Sequence, residues 1–134
     1  MADKIYLDRA ALLAASDRPT EEVWVPEWGS HVRIRTITAG DRDAFDAGTY
    51  QVRGKDVQVN RVNLRARLVA LCAVDAAGER LFTDEDVAAL AAKGARAIDR
   101  LFEAAQRLNG LTQKDIEDLA GNSEPGPSGA SSSS

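Results

Sequence analysis

The chain has 134 residues, of which 44% are apolar and 28% are charged, with a formal net charge of -4. This balance is typical of one small globular domain, and the mixed charge, without a basic stripe, argues against nucleic acid as the main partner. The apolar runs are too short to span a bilayer. We also expect no secretory signal, and the single cysteine excludes an internal disulfide.

The N-terminal stretch predicts a short helix. Asp8 stands where a capping residue is expected for a helix over residues 9–16, with Leu12 and Leu13 as its apolar contacts. Pro19 marks its end, because the residue before a proline avoids the helical region.

Two alternating runs then predict an antiparallel β-hairpin with one buried face. They cover residues 22–25 and 31–37, and residues 26–30 between them have turn chemistry. The hairpin contains both tryptophans of the chain, Trp24 and Trp28. These side chains either close over the helices or form a partner surface, since tryptophan is enriched at interfaces.

The next stretch predicts a short helix followed by an ambiguous segment. Thr38 and Asp41 resemble a capping box that starts a helix ending near Gly48. Residues 50–59 alternate around a Gly-Lys pair, which suits a second hairpin or a mobile loop. We favour the loop, because a hairpin without packing is marginally stable.

Most of the aliphatic residues lie between positions 60 and 111. They predict three helices, over residues 60–74, 83–93 and 95–109. Residues 60–74 are apolar on nearly all sides in their second half, which indicates a buried central helix. Thr83 and the acidic residues after it cap a connecting helix through residue 93. A last short helix is predicted over residues 113–119.

The helix predicted over residues 95–109 is the clearest amphipathic element. Its inner stripe follows helical spacing and consists of Ile98, Leu101, Phe102, Ala105 and Leu108. Its polar face consists of Arg96, Asp99, Arg100, Glu103, Gln106 and Arg107.

Together these elements predict an α+β fold that is mainly α. A small N-terminal antiparallel β-hairpin packs on a bundle of about four to five helices. Residues 1–120 form this single domain. Residues 121–134 are rich in glycine, proline and serine, lack large apolar side chains and are expected to form a disordered tail.

The candidate chemical groups do not assemble into a catalytic or metal site. His31 falls on the polar face of a strand, and Cys72 falls in an apolar helix, where a thiol behaves as an inert hydrophobe. Residues 75–86 lack the ligand spacing of a calcium loop. Glycine-rich phosphate loops and a Gly-x-Ser-x-Gly motif are absent from the sequence. We therefore predict no catalysis, no metal and no cofactor.

Several runs of residues, in this order and spacing, resemble one protein family. They are the hairpin at 25–35 with the helix start at 38–45, then 65–71, 78–87 and 101–111. They resemble the tail assembly chaperones of long-tailed, siphovirus-type bacteriophages and related prophages. The resemblance runs from about residue 5 to residue 115.

The resemblance implies a non-catalytic protein that acts in the host cell cytoplasm and is absent from the mature virion. Such proteins bind the long, helical tape measure protein, keep it soluble and help to recruit tail tube subunits. Many relatives also have a longer form of the same protein that arises by frameshifting, and self-association is a further expectation. The alternative function is that of a structural virion protein, such as a tail completion or connector subunit.

For such a chaperone we expect an apolar surface that meets a client helix, as in helix-in-groove recognition. The Trp-bearing hairpin and the helix over residues 95–109 are the two candidates. The predicted partner-binding residues are Trp24, Trp28, Ile98, Leu101, Phe102 and Leu108.

Overall fold

The computed structural model describes residues 4–111, which form a mixed α+β structure. The predicted α+β class and the N-terminal hairpin are confirmed. The predicted helix over residues 113–119 and the predicted tail over residues 121–134 lie outside the described residues. The elements are, in chain order, α1 (Arg9–Ala14), β1 (Thr20–Val25), β2 (Ser30–Arg35), α2 (Ala39–Thr49), β3 (Tyr50–Arg53), β4 (Asp56–Val59), α3 (Leu64–Cys72), β5 (Ala73–Val74), α4 (Val87–Ala91) and α5 (Ala95–Leu108).

The N-terminal hairpin belongs to a three-stranded antiparallel sheet with the order β1-β2-β5. Its two strands are in the register that pairs Val23 with Val32 and Trp24 with His31. One face is apolar, and Val25 and Ile34 on it are fully buried. Because successive strand residues point to opposite faces, Trp24 and His31 lie on the other, outer face, which is the face predicted for His31.

The helix predicted over residues 60–74 is shorter than expected at both ends. It begins at Leu64, and its last two predicted residues, Ala73 and Val74, form β5 and pair with Ile34 and Arg33 of β2. A continuous apolar run fits a buried helix and a buried strand equally well. The edge of β2 that is not paired with β1 has free backbone hydrogen-bonding groups. Residues 73 and 74 pair with this edge and therefore form a strand.

Residues 50–59 form a second hairpin, so the predicted loop is wrong here. β3 and β4 are joined by a two-residue turn in which Gly54 has a φ of +64°, a conformation that favours glycine. The Arg67 guanidinium holds the base of this hairpin. It donates hydrogen bonds to the Asn60 carbonyl at 2.7 Å and to the Thr49 hydroxyl at 3.1 Å.

The main core surrounds α3, which contacts α2, α4 and α5. α5 also packs against β1 and β2, so its buried arc is wider than a single stripe. Gln106 lies within this arc and is buried, although the sequence pattern assigns it to the polar face. The physical reason is that α5 is covered on two sides, by a helix and by a sheet.

Two predicted helix starts are confirmed by their caps. The Thr38 hydroxyl accepts a hydrogen bond from the Asp41 backbone N–H at 3.0 Å, and α2 follows. Asp86 accepts a hydrogen bond from the Thr83 backbone N–H at 2.8 Å. The connecting helix that Thr83 starts begins with a 3-10 turn, Asp84–Asp86, and ends at Ala91 instead of residue 93.

Within residues 4–111, no helix is long and apolar enough to cross a bilayer.

Candidate partner-binding surface

The inner stripe of α5 belongs to the core of the protein. Ile98, Leu101 and Phe102 have exposed fractions of 5%, 1% and 6%, and Leu108 is half-buried. Their apolar area is covered by α3 and by the sheet. A partner would have to displace α5 to reach the first three side chains, so their predicted role as a partner surface does not fit this fold.

Trp24 lies on the outer face of the hairpin, and 52% of it is exposed. Its ring faces His31 on the paired strand, with 5.0 Å between the ring centroids. The neighbouring cross-strand pair is an ion pair, in which Arg33 Nη2 lies 2.9 Å from Glu22 Oε2. This hydrogen bond lowers the pKa of the Glu22 carboxyl. The outer face therefore presents an aromatic pair beside a charged pair.

Trp28 lies in the hairpin turn and is 36% exposed. Together with residues of α4 and the segment before it, Trp28 lines an open groove of about 400 Å³. The Lys93 ammonium lies 6.0 Å from the Trp28 ring centroid, at the distance of a cation–π contact. We call this feature the Trp28 groove, and its lining residues are Trp28, Phe82, Asp86, Ala89, Leu90 and Lys93.

Ion pairs fix the hairpin to α5 near this groove. Arg100 holds Glu27 through two hydrogen bonds, Nε to Oε1 at 2.8 Å and Nη2 to Oε2 at 3.0 Å. The hydrogen bond from Arg100 lowers the pKa of the Glu27 carboxyl. Arg107 bonds Glu21 at the other end of β1. Trp28, the residue after Glu27, is therefore held on a fixed turn.

The N-terminal arm, which we define as residues 4–14, is an apolar surface that the alternation and the helical spacing do not predict. It carries five large apolar side chains with exposed fractions between 58% and 91%: Ile5, Tyr6, Leu7, Leu12 and Leu13. None of the residues of α1 is buried. Leu12 and Leu13, which are predicted as the apolar contacts of α1, are not covered by the rest of the chain. The sequence feature that indicates this surface is the high density of large apolar residues before Pro19.

A second groove, of about 380 Å³, lies between the start of α3 and the start of α5. It is lined by charged residues of both signs, and Arg65 Nε lies 2.8 Å from Asp99 Oδ1. Arg65 also lies over the Phe102 ring, at 5.8 Å from its centroid. Its charged lining makes this groove a less suitable apolar docking surface than the Trp28 groove.

The groups with potential for chemistry are dispersed. His31 is exposed on the outer sheet face. Cys72 is fully buried, and burial raises the pKa of its thiol to about 12, although the Asn109 amide opposes this shift. The thiolate that a nucleophile or metal ligand needs is therefore suppressed. Within residues 4–111, no group of three or more His, Cys, Asp or Glu side chains is placed to hold a metal.

We expect Cys72 to react with a maleimide far more slowly in the folded protein than in urea. Both its burial and its raised pKa deplete the accessible thiolate. The measurement is labelling over time at pH 8, read by mass spectrometry, with the unfolded chain as the reference. Equal labelling rates in the two conditions would contradict the buried position of Cys72.

Comparisons with known proteins gave a family match. A family model described as phage tail assembly chaperone matches residues 7–122. No curated protein and no solved structure showed significant similarity to the chain. The matched segment includes α1, both tryptophans and the whole of the Trp28 groove.

Proposed function

This chain belongs to the phage tail assembly chaperone family, and from that premise we propose that it binds the tape measure protein and keeps it soluble. In this proposal the protein acts in the host cell, has no catalytic role and is absent from the mature virion. It also helps to recruit tail tube subunits to the tape measure protein. The observation that carries the proposal is that large apolar side chains stay exposed although residues 4–111 contain a buried core.

The client surface in this proposal is the Trp-bearing hairpin. Trp24 offers an exposed indole on the outer sheet face, and the Trp28 groove offers an apolar cleft with a charged rim. An amphipathic helix docks its apolar stripe into such a cleft. A long helical client presents many such stripes, so that several weak contacts add up by avidity.

We expect the double substitution Trp24→Ala with Trp28→Ala to reduce the soluble fraction of the tape measure protein on co-expression. Truncation of a tryptophan at the centre of an interface costs about 2 kcal/mol or more, which is roughly 30-fold in affinity. The measurement is a quantitative blot of supernatant and pellet after centrifugation.

The matched control is Val52→Ala, which truncates an exposed apolar residue on the second hairpin. Circular dichroism of both variants confirms that they are folded. If the double variant keeps the tape measure protein as soluble as the natural chain does, the hairpin is not the client surface.

Mass spectrometry of purified particles separates this function from that of a virion subunit. An assembly factor is expected to be missing from mature particles. Stoichiometric amounts of the chain in particles would instead support a tail completion or connector subunit.

A further inference from the structure

The N-terminal arm and the Trp28 groove are two uncovered apolar surfaces on the same chain. The arm presents five large apolar side chains, and the groove is open beside Trp28, Phe82 and Leu90. The groove volume of about 400 Å³ lies in the range of pockets that enclose a ligand. The groove therefore has room for some of the apolar side chains of the arm, and both surfaces are apolar.

The two surfaces lie at opposite ends of the N-terminal hairpin. The base of the arm is fixed at Arg18, whose Nε and Nη2 donate hydrogen bonds to the Thr36 carbonyl at 3.0 and 2.9 Å. Thr36 directly follows the end of β2, whereas Trp28 lies in the turn at the other end. A strand of this length spans roughly 20 Å. The arm therefore leaves the domain far from the groove of its own copy.

The charges that flank the two surfaces are complementary. Lys4 precedes the apolar run of residues 5–7 in the arm, and Asp8 and Arg9 follow it. The groove is bordered by the acidic 3-10 turn Asp84–Asp86, whose last residue lines it. Lys93, which also lines the groove, has a charge opposite to that of Asp8, whose carboxylate caps α1 at the surface of the arm.

From this geometry we propose that the N-terminal arm of one copy docks in the Trp28 groove of a second copy. The two surfaces of this interface differ, so each added copy leaves one free arm and one free groove. Such a heterologous contact joins copies head to tail into an open chain unless the rotation between copies closes a ring. In this proposal the arm of a second copy and a client helix compete for the same groove, so association between copies is measured without the tape measure protein and can fail or succeed independently of client binding.

The test uses two variants of the full chain that each block one surface. The arm variant carries Tyr6→Glu, Leu12→Glu and Leu13→Glu, and the groove variant carries Ala89→Glu. All four residues are exposed, so the core is left intact. The matched control is Ala88→Glu, on the same helix but outside the groove lining.

Sedimentation velocity over a range of concentrations gives the readout. We expect the natural chain and the Ala88→Glu variant to exceed the mass of a dimer as concentration rises, and each blocked variant to stay monomeric. A one-to-one mixture of the two blocked variants retains one compatible arm and groove. It should form a heterodimer, twice the monomer mass, and stop there.

Three results would overturn the proposal. The first is a natural chain that is monomeric at every concentration, as would follow if the arm folded onto its own copy. The second is an arm variant that associates as the natural chain does. The third is an Ala89→Glu variant that still dimerises, which would indicate that two arms pair with each other.

Crosslinking keeps the test decisive if a blocked variant proves unstable. Leu13→Cys chains mixed with Ala89→Cys chains should give a covalent heterodimer with a short bismaleimide, and Ala88→Cys chains should not. The buried Cys72 does not compete in the folded protein. Equal crosslinking at positions 88 and 89 would contradict the proposed position of the arm in the Trp28 groove. The solubility of the tape measure protein is a separate measurement.

Discussion

Replacement of Leu101 by alanine is expected to lower the free energy of unfolding by about 2–5 kcal/mol. The Leu101 side chain is 1% exposed and belongs to the core that α5 forms with α3 and the sheet. Its truncation loses the transfer free energy of the buried methyl groups and leaves a cavity that the surrounding helices fill only partly. Urea unfolding followed by circular dichroism measures the loss.

The matched control is Leu81→Ala, the same chemical change at a leucine that is 50% exposed. A substitution on the surface, away from such packing, usually changes stability by about 0.5 kcal/mol or less. Because half of Leu81 is exposed, we expect its truncation to cost only slightly more than this. If the two variants lost equal stability, α5 would not be packed as described. The stripe residues of α5 would then return as candidates for the partner surface.

The second large effect is expected for Asn109→Ala. The Asn109 side chain accepts a hydrogen bond from the Ile37 backbone N–H at 2.9 Å and donates one to the Ala105 carbonyl at 2.8 Å. It thereby ties the end of α5 to the chain just after β2. Truncation leaves a partly buried N–H without its acceptor, which costs about 1–3 kcal/mol.

Hydrogen exchange gives this prediction a local readout. The amide of Ile37 should exchange faster in the Asn109→Ala variant, while the paired amides of β1 and β2 keep most of their relative protection. Gln58→Ala, which truncates an exposed carboxamide, is the control and should change neither stability nor the exchange at Ile37. Unchanged protection at Ile37 would show that another acceptor replaces Asn109.

Elements with a clear period could be predicted from the sequence, and elements made by distant contacts could not. The alternation around Val23 and Val32 identifies both the hairpin and its buried face. By contrast, β5 exists because Ala73 and Val74 meet the free edge of β2, about forty positions earlier. The second hairpin likewise depends on Arg67, which donates hydrogen bonds to residues at the base of this hairpin. The alternation of residues 50–59 does not predict these bonds.

The candidate surface was only partly predictable for a related reason. Alternation places Trp24 on the outer face, and the structure agrees. An apolar stripe, however, has the same pattern whether it is covered or exposed. The sequence pattern places Leu101 on a partner surface, but Leu101 is buried, whereas it gives Leu12 and Leu13 apolar contacts, but both are exposed. Only the tertiary packing decides between these two outcomes.

The ion pair between Glu27 and Arg100 has a consequence for synthesis on the ribosome. Its two residues are 73 positions apart, which at about 5–20 residues per second corresponds to roughly 4–15 s of translation. During that interval the inner face of the hairpin, with Val25 and Ile34, has been made but lacks the helix that covers it. The nascent domain therefore exposes apolar surface for seconds before its core can close, and contacts with other nascent chains are possible during that interval.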